Sequence, residues 1–297
     1  MALPEILFLM LLLLAVWAPL SERVRRPAQR WLRAAPARIW WMPPALTLVF
    51  LAASVTAGQV NWELVAIVFA YAAAPVACAW FAGPGPVTRP VALDFLCIAL
   101  LWFPLEFPAG AGRLVAKHAQ GFLHSVAYGI AILLALALFL CFRQIAGMKY
   151  RPPKSMDDLR NLLIGFAVTA PVLAAVGILI GFIPMPHAPT AGAARMASAA
   201  AVIFCGTALP EEILFRSIIQ NLLCQRFGTN TRTLIAASLI FGAAHLDNGP
   251  QPLPNWRYMI LATIAGYAYG RVFQRSGSVL ASAGFHAMVD WTKHFIF

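Results

Sequence analysis

Apolar runs long enough to cross the ~30 Å hydrocarbon core of a bilayer recur from one end of this chain to the other, and that recurrence decides its architecture. "LFLMLLLLAVWAPL", "LVAIVFAYAAAPVACAW" and "VAYGIAILLALALFLCF" are examples. Hydrophobic residues make up 61% of the sequence and charged ones 11%, against roughly half and a quarter in a soluble domain. Backbone polar groups in hydrocarbon must be satisfied within the segment or in a closed barrel, and these runs lack the period-two alternation of barrel strands. The expected fold is therefore all-α, a polytopic membrane bundle of about nine or ten helices. The spans are expected at about 3–20, 39–58, 62–82, 91–107, 122–142, 161–183, 196–223, 233–247, 256–273 and 278–296, the fourth and eighth being the shortest.

Charge sets the orientation. Glu5 precedes the first apolar run and Arg23, Arg25, Arg26, Arg30 and Arg33 follow it, the reverse of a secretory signal, so this run is read as a retained span with its N-terminus outside. Alternating from there puts most arginines and lysines in cytoplasmic loops and leaves Arg113, Lys117, Arg195, Arg257 and Lys293 outside, as the positive-inside rule requires. The net charge of +11 then belongs to loops facing anionic lipid, and no nucleic-acid partner is needed to explain it. Cys78, Cys97, Cys141, Cys205 and Cys224 lie in or beside apolar runs with no CxxC pair, and read as small core residues.

"FAGPGPVTRP" (81–90) and "GMKYRPPKSMDDLR" (147–160) break the apolar pattern. The second is the stronger boundary. It separates an N-terminal bundle, 1–150, of unassigned role from a segment, 151–297, whose spans contain Glu, His and Asp.

An ionisable group inside a span is expensive unless paired or hydrated, so each one marks a candidate site. Glu211, Glu212 and Arg216 fall in the seventh span, His245 in the eighth, and His286 and Asp290 in the tenth. Glu212 and Arg216 are i and i+4 and can pair on one helix face, whereas Glu211 is rotated about 100° away and is the candidate base. Pro210 removes a backbone donor just ahead of the glutamates and favours a kink there. His286 and Asp290 repeat the i, i+4 spacing, which suits orienting a ring, a water or a metal. Each piece also has a plainer reading, the ion pair as a packing clamp and a lone His as a satisfied core residue, but the set on three late helices weakens those readings. Asp94 and Glu106 flank the short fourth span, Glu63 starts the third, and His118, His124, His187 and His294 lie near span ends where water can reach. Gly266 and Gly270 form a GxxxG spacing that lets helices approach closely.

The series EExxxR (Glu211, Glu212, Arg216), FxxxH (Phe241, His245), a GxxxG helix and a final HxxxD (His286, Asp290) resembles the CAAX-protease and bacteriocin-processing family of intramembrane proteases, which includes the Ras-converting-enzyme type of prenyl protease. The resemblance covers about residues 160–297. It implies that Glu211 and His245 activate a water for attack on an amide, that Glu212 with Arg216 fixes the helix and its electrostatics, and that the last motif stabilises the oxyanion. The family usually has Asn where this chain has Asp290. An ionised Asp cannot donate to an oxyanion whereas a protonated one can, so Asp290 is either held neutral by burial or orients His286 and leaves the donor role to that ring, the second being favoured.

The HxxxD ending resembles family members proposed to process C-terminal sorting tails of bacterial surface proteins. The implied substrate is a membrane-anchored protein or peptide, and the implied location is the cytoplasmic (inner) membrane of a bacterium. A glutamate-activated water needs no cofactor and is favoured by the resemblance together with the absence of HExxH; the alternative is zinc held by Glu211, His245 and His286. Two other classes compete, a non-catalytic peptide-binding or bacteriocin-immunity protein and a proton-coupled transporter. Transporters tend to show related halves, and this chain confines its chemistry to the C-terminal half.

Overall fold

A computed structural model describes residues 2–106, 121–249 and 253–297. Arg113 and Lys117, expected outside, and His118, expected near a span end, lie outside that range. Among the described residues no strand forms, and the chain divides into two compact units, Met1–Ala146 and Gly147–Phe297.

The first unit contains α1 (Leu3–Leu20), α2 (Glu22–Ala34), α3 (Pro36–Thr56), α4 (Trp62–Ala82), α5 (Ala92–Glu106) and α6 (Gly121–Phe142). Helix α6 is its most buried member and packs against α1, α3 and α5, while α4 packs between α3 and α5. Arg143 and Asp94 form a buried bidentate pair, Nε to Oδ1 at 2.7 Å and Nη2 to Oδ2 at 2.8 Å. The remaining arm of Arg143 donates to the carbonyls of Ala82 and Gly83, closing the C-terminal end of α4. From the sequence, Asp94 flanks the fourth span and Arg143 falls on the cytoplasmic side just after the fifth. In the structure each removes the other's charge from the interior.

The arginine-rich stretch after α1, expected to be a loop, is the amphipathic helix α2. The Ser21 hydroxyl accepts from the Arg23 N–H at its start, and Glu22 reaches Arg26 at 2.6 Å, which are the ordinary local signals of a helix beginning. Leu32 is buried and Gln29 donates to the Leu140 carbonyl, while Arg23, Arg26 and Trp31 are exposed. That division is the one a helix lying at a membrane surface needs.

The second unit contains α7 (Met156–Leu179), α8 (Ala193–Phe227), α9 (Thr231–Ala243), α10 (Trp256–Arg275) and α11 (Val279–Ile296). Each of the ten expected spans corresponds to a helix. Six are long and apolar enough to cross a membrane: α1, α3, α4, α6, α7 and α8. Helices α5 and α9 are shorter, and α10 and α11 are long enough but carry polar groups, among them Arg257, His286, Asp290 and Lys293. The chain is an integral, multi-pass membrane protein.

Capping residues set where the late helices begin. Asn230, Asn255 and Ser278 accept from the N–H groups of Thr233, Tyr258 and Leu280. Gly228, at φ +89°, ends α8 in a backbone conformation that favours glycine. Lys149 closes the far end of α10, its ammonium donating to the carbonyls of Phe273, Gln274 and Ser276 at 2.6, 3.1 and 2.8 Å.

Helices α7, α10 and α11 pack against one another, α9 packs on α10, and α8 packs against α9 and α11. Glycines bring α10 close to its neighbours. A Cβ on Gly266 would lie 2.8 Å from the Phe241 ring of α9, and one on Gly270 would lie 2.5 Å from both Gln220 Oε1 of α8 and Leu234 Cδ1 of α9. Gln220 uses that proximity to donate to the Gly270 carbonyl at 3.1 Å.

Candidate active site

Helix α8 is irregular where it carries its charges. Phe204–Ala208 and Ile213–Gln220 are π-helical, and the glutamates sit in the α-helical turn Leu209–Glu212 between them. Pro210 has no N–H to give to the preceding turn, and wider i→i+5 bonding on either side is one way a helix accommodates such a residue.

The two carboxylates face different surroundings. Glu212 is 0% exposed and meets Arg216 Nε at 3.1 Å, as the i, i+4 spacing predicts. Arg216 is equally buried, its guanidinium carbon 4.7 Å from the centroid of Phe241 and 5.9 Å from that of Tyr269. Glu211 is 30% exposed and lines a cavity of about 110 Å³.

His286 on α11 closes the set. Its Nδ1 lies 3.3 Å from Glu212 Oε1, and its Nε2 lies 3.4 Å from Asp290 Oδ2 and 3.9 Å from Glu211 Oε2. The ring stacks on Tyr269 at 4.6 Å and 18°. Both nitrogens face carboxylates, so a ring donating to both carries a proton on each. The sequence reading assigned orientation of this ring to Asp290. In the structure Glu212 holds it from the buried side, while Asp290 shares the cavity-side nitrogen with Glu211.

His245 lies in the turn just beyond α9 rather than within a span. Its Nδ1 is 2.8 Å from the Phe241 carbonyl, which can only accept, so Nδ1 carries the hydrogen and Nε2 keeps its lone pair. The imidazole packs edge-on against Tyr258 and Phe241 and lines the same cavity as Glu211, His286 and Asp290.

Sequence reasoning missed Tyr258, Tyr269 and Lys293. Lys293, expected at an outer span end, lines the cavity with its ammonium 4.7 Å from the Phe182 centroid and 4.5 Å from that of Tyr258. The i+3 spacing from Asp290 was the available signal.

Among the described residues no group of three His, Cys, Asp or Glu is placed to hold an ion, and both nitrogens of His286 are directed at carboxylates. What the arrangement offers is a carboxylate and an imidazole lone pair facing one cavity, with an N–H donor opposite.

Fold and site together define a polytopic helical membrane protein with a carboxylate–histidine cluster among its last helices. Residues 193–292 match the family model described as type II CAAX prenyl endopeptidase Rce1-like. The matched segment includes Glu211, Glu212, Arg216, His245, His286 and Asp290. Searches of curated proteins and of solved structures returned no match.

Proposed function

We propose that this chain is an intramembrane endopeptidase that cleaves a membrane-anchored protein near its C-terminus, using a water activated by Glu211 and His245. The observation that carries this reading is the cavity on which Glu211, His245 and His286 converge while Glu212 and Arg216 stay behind it, fully buried.

In the proposed step, water held between the Glu211 carboxylate and His245 Nε2 attacks the scissile carbonyl carbon and its proton passes to Glu211. The oxygen of the tetrahedral intermediate takes the N–H of His286 Nε2, which the 3.4 Å contact to Asp290 holds only loosely. The C–N bond then breaks and Glu211 returns the proton to the departing amine. No step requires a metal. The bacterial inner membrane and a C-terminal sorting tail are the location and substrate that fit the HxxxD ending.

The test is cleavage of a candidate tail-anchored substrate in membranes by wild type, by Glu211→Gln and by wild type treated with a strong zinc chelator. Loss in the mutant with full activity under chelation supports the glutamate mechanism. Loss under both conditions supports a metalloprotease. Cleavage by Glu211→Gln removes Glu211 as the base.

A further inference from the structure

The two ends of the second unit differ in charge, and the cavity reaches only one of them. At one end the start of α7, the end of α10 and the start of α11 meet: Lys149 binds the α10 terminus, Arg151 donates to the Gly277 carbonyl at 2.6 Å, and Asn161 donates to that of Arg275 at 3.3 Å. Connectivity through the short turn between α8 and α9 gathers Arg226 and Arg232 on this side as well, beside Lys154, Arg160, Arg271 and Arg275. At the opposite end Arg257 donates to the Gly181 carbonyl, Trp291 donates to that of Met196, and Lys293 lies over Phe182 and Tyr258. Its basic side chains are Arg195, Arg257 and Lys293.

From Glu211 and His286 the cavity runs past Tyr258 and Lys293 to Phe182 and Phe297, all toward the charge-poor end. Helix length agrees. The 13 residues of α9 rise about 20 Å, short of a ~30 Å hydrocarbon core, and its His245 end is the one directed away from the basic side.

Short basic loops stay on the cytoplasmic side of a membrane. We infer that the catalytic cavity opens to the extracytoplasmic face, so that the substrates are exported polypeptides whose scissile bond has already crossed the membrane. The substrate part of this inference rests on the endopeptidase reading above; the orientation does not.

Thr190, exposed in the 180–192 loop at the charge-poor end, and Lys154, exposed at the basic end, are suitable reporters outside the site. Thr190→Cys, Lys154→Cys and Lys293→Cys are labelled with a small membrane-impermeant thiol reagent in intact bacterial cells and in inside-out vesicles, with the parent protein as the blank for native cysteines. Thr190→Cys and Lys293→Cys should label in cells, and Lys154→Cys only in inverted vesicles. The reverse pattern, or Lys293→Cys that fails to follow Thr190→Cys, overturns the inference. A tail-anchored substrate is then presented with its cleavage segment on either face; cutting only on the cytoplasmic face overturns the substrate assignment even where labelling agrees. Absence of cutting on both faces, with labelling as expected, counts against the endopeptidase reading and leaves the orientation standing.

Discussion

Nδ1 of His286 lies 3.3 Å from Oε1 of Glu212, a carboxylate that also holds Arg216 Nε at 3.1 Å. One buried anion thus ties α11 to α8 and neutralises a fully buried arginine. Glu212→Ala leaves that arginine uncompensated and should destabilise the fold by about 3–5 kcal/mol, the range for breaking a buried pair. Glu211→Gln, at a carboxylate that faces the cavity, should leave stability nearly unchanged while removing activity. Thermal unfolding of both variants in detergent checks the contrast, and equal melting temperatures would refute it.

The packing of α9 on α10 makes a second prediction. A Cβ on Gly242 would lie 2.0 Å from Thr263 Oγ1 and 2.8 Å from the Met259 carbonyl oxygen. A hydroxyl can rotate away but backbone cannot, so Gly242→Ala must spread the two helices and with them Phe241 and His245. Overpacking of this kind destabilises by about 1–3 kcal/mol. Activity should fall with stability, measured as loss of both cleavage and melting temperature, and should partly return in Gly242→Ala/Thr263→Ala.

These relationships were legible in the sequence to different depths. Glu212 with Arg216, and His286 with Asp290, could be paired because a helix repeats its faces at fixed spacing. The 3.3 Å contact between Glu212 and His286 could not, because it spans 74 residues and depends on how α8 and α11 pack. Tyr269 was invisible for the same reason. Asp94 and Arg143 each stand at the edge of an apolar run, and only the approach of α5 to the chain beyond α6 shows them buried. Helix α2 was read as a loop because its arginines dominated the reading, although Ser21 and Glu22 already supplied its starting signals.

Lys149 provides a test outside the membrane spans. Its ammonium holds three carbonyls at the end of α10, and its own carbonyl accepts from the Val279 N–H at 3.0 Å where α11 begins. Lys149→Met keeps much of the side-chain volume and the backbone contact but removes the charge. A charged hydrogen-bonding group of this kind contributes about 1.5–3 kcal/mol, so the variant should melt lower. Amide exchange should rise first around Phe273–Ser276; uniform exchange along α10 would argue that the cap is energetically idle.

Asp290 contacts His286 Nε2 at 3.4 Å, and that contact allows two roles to be separated. If Asp290 keeps a proton on that nitrogen, Asp290→Asn should weaken the effect but supply an amide donor to the oxyanion, and Asp290→Ala should remove both. The expected order of kcat is wild type and Asn comparable, with Ala lower by about 10²–10³-fold, the usual loss for one oxyanion-stabilising group. KM should change little, because the interaction strengthens only as charge develops on the substrate oxygen. Single-turnover cleavage by the three proteins measures this directly, and an Asp290→Ala variant cleaving at the wild-type rate would remove Asp290 from the chemistry.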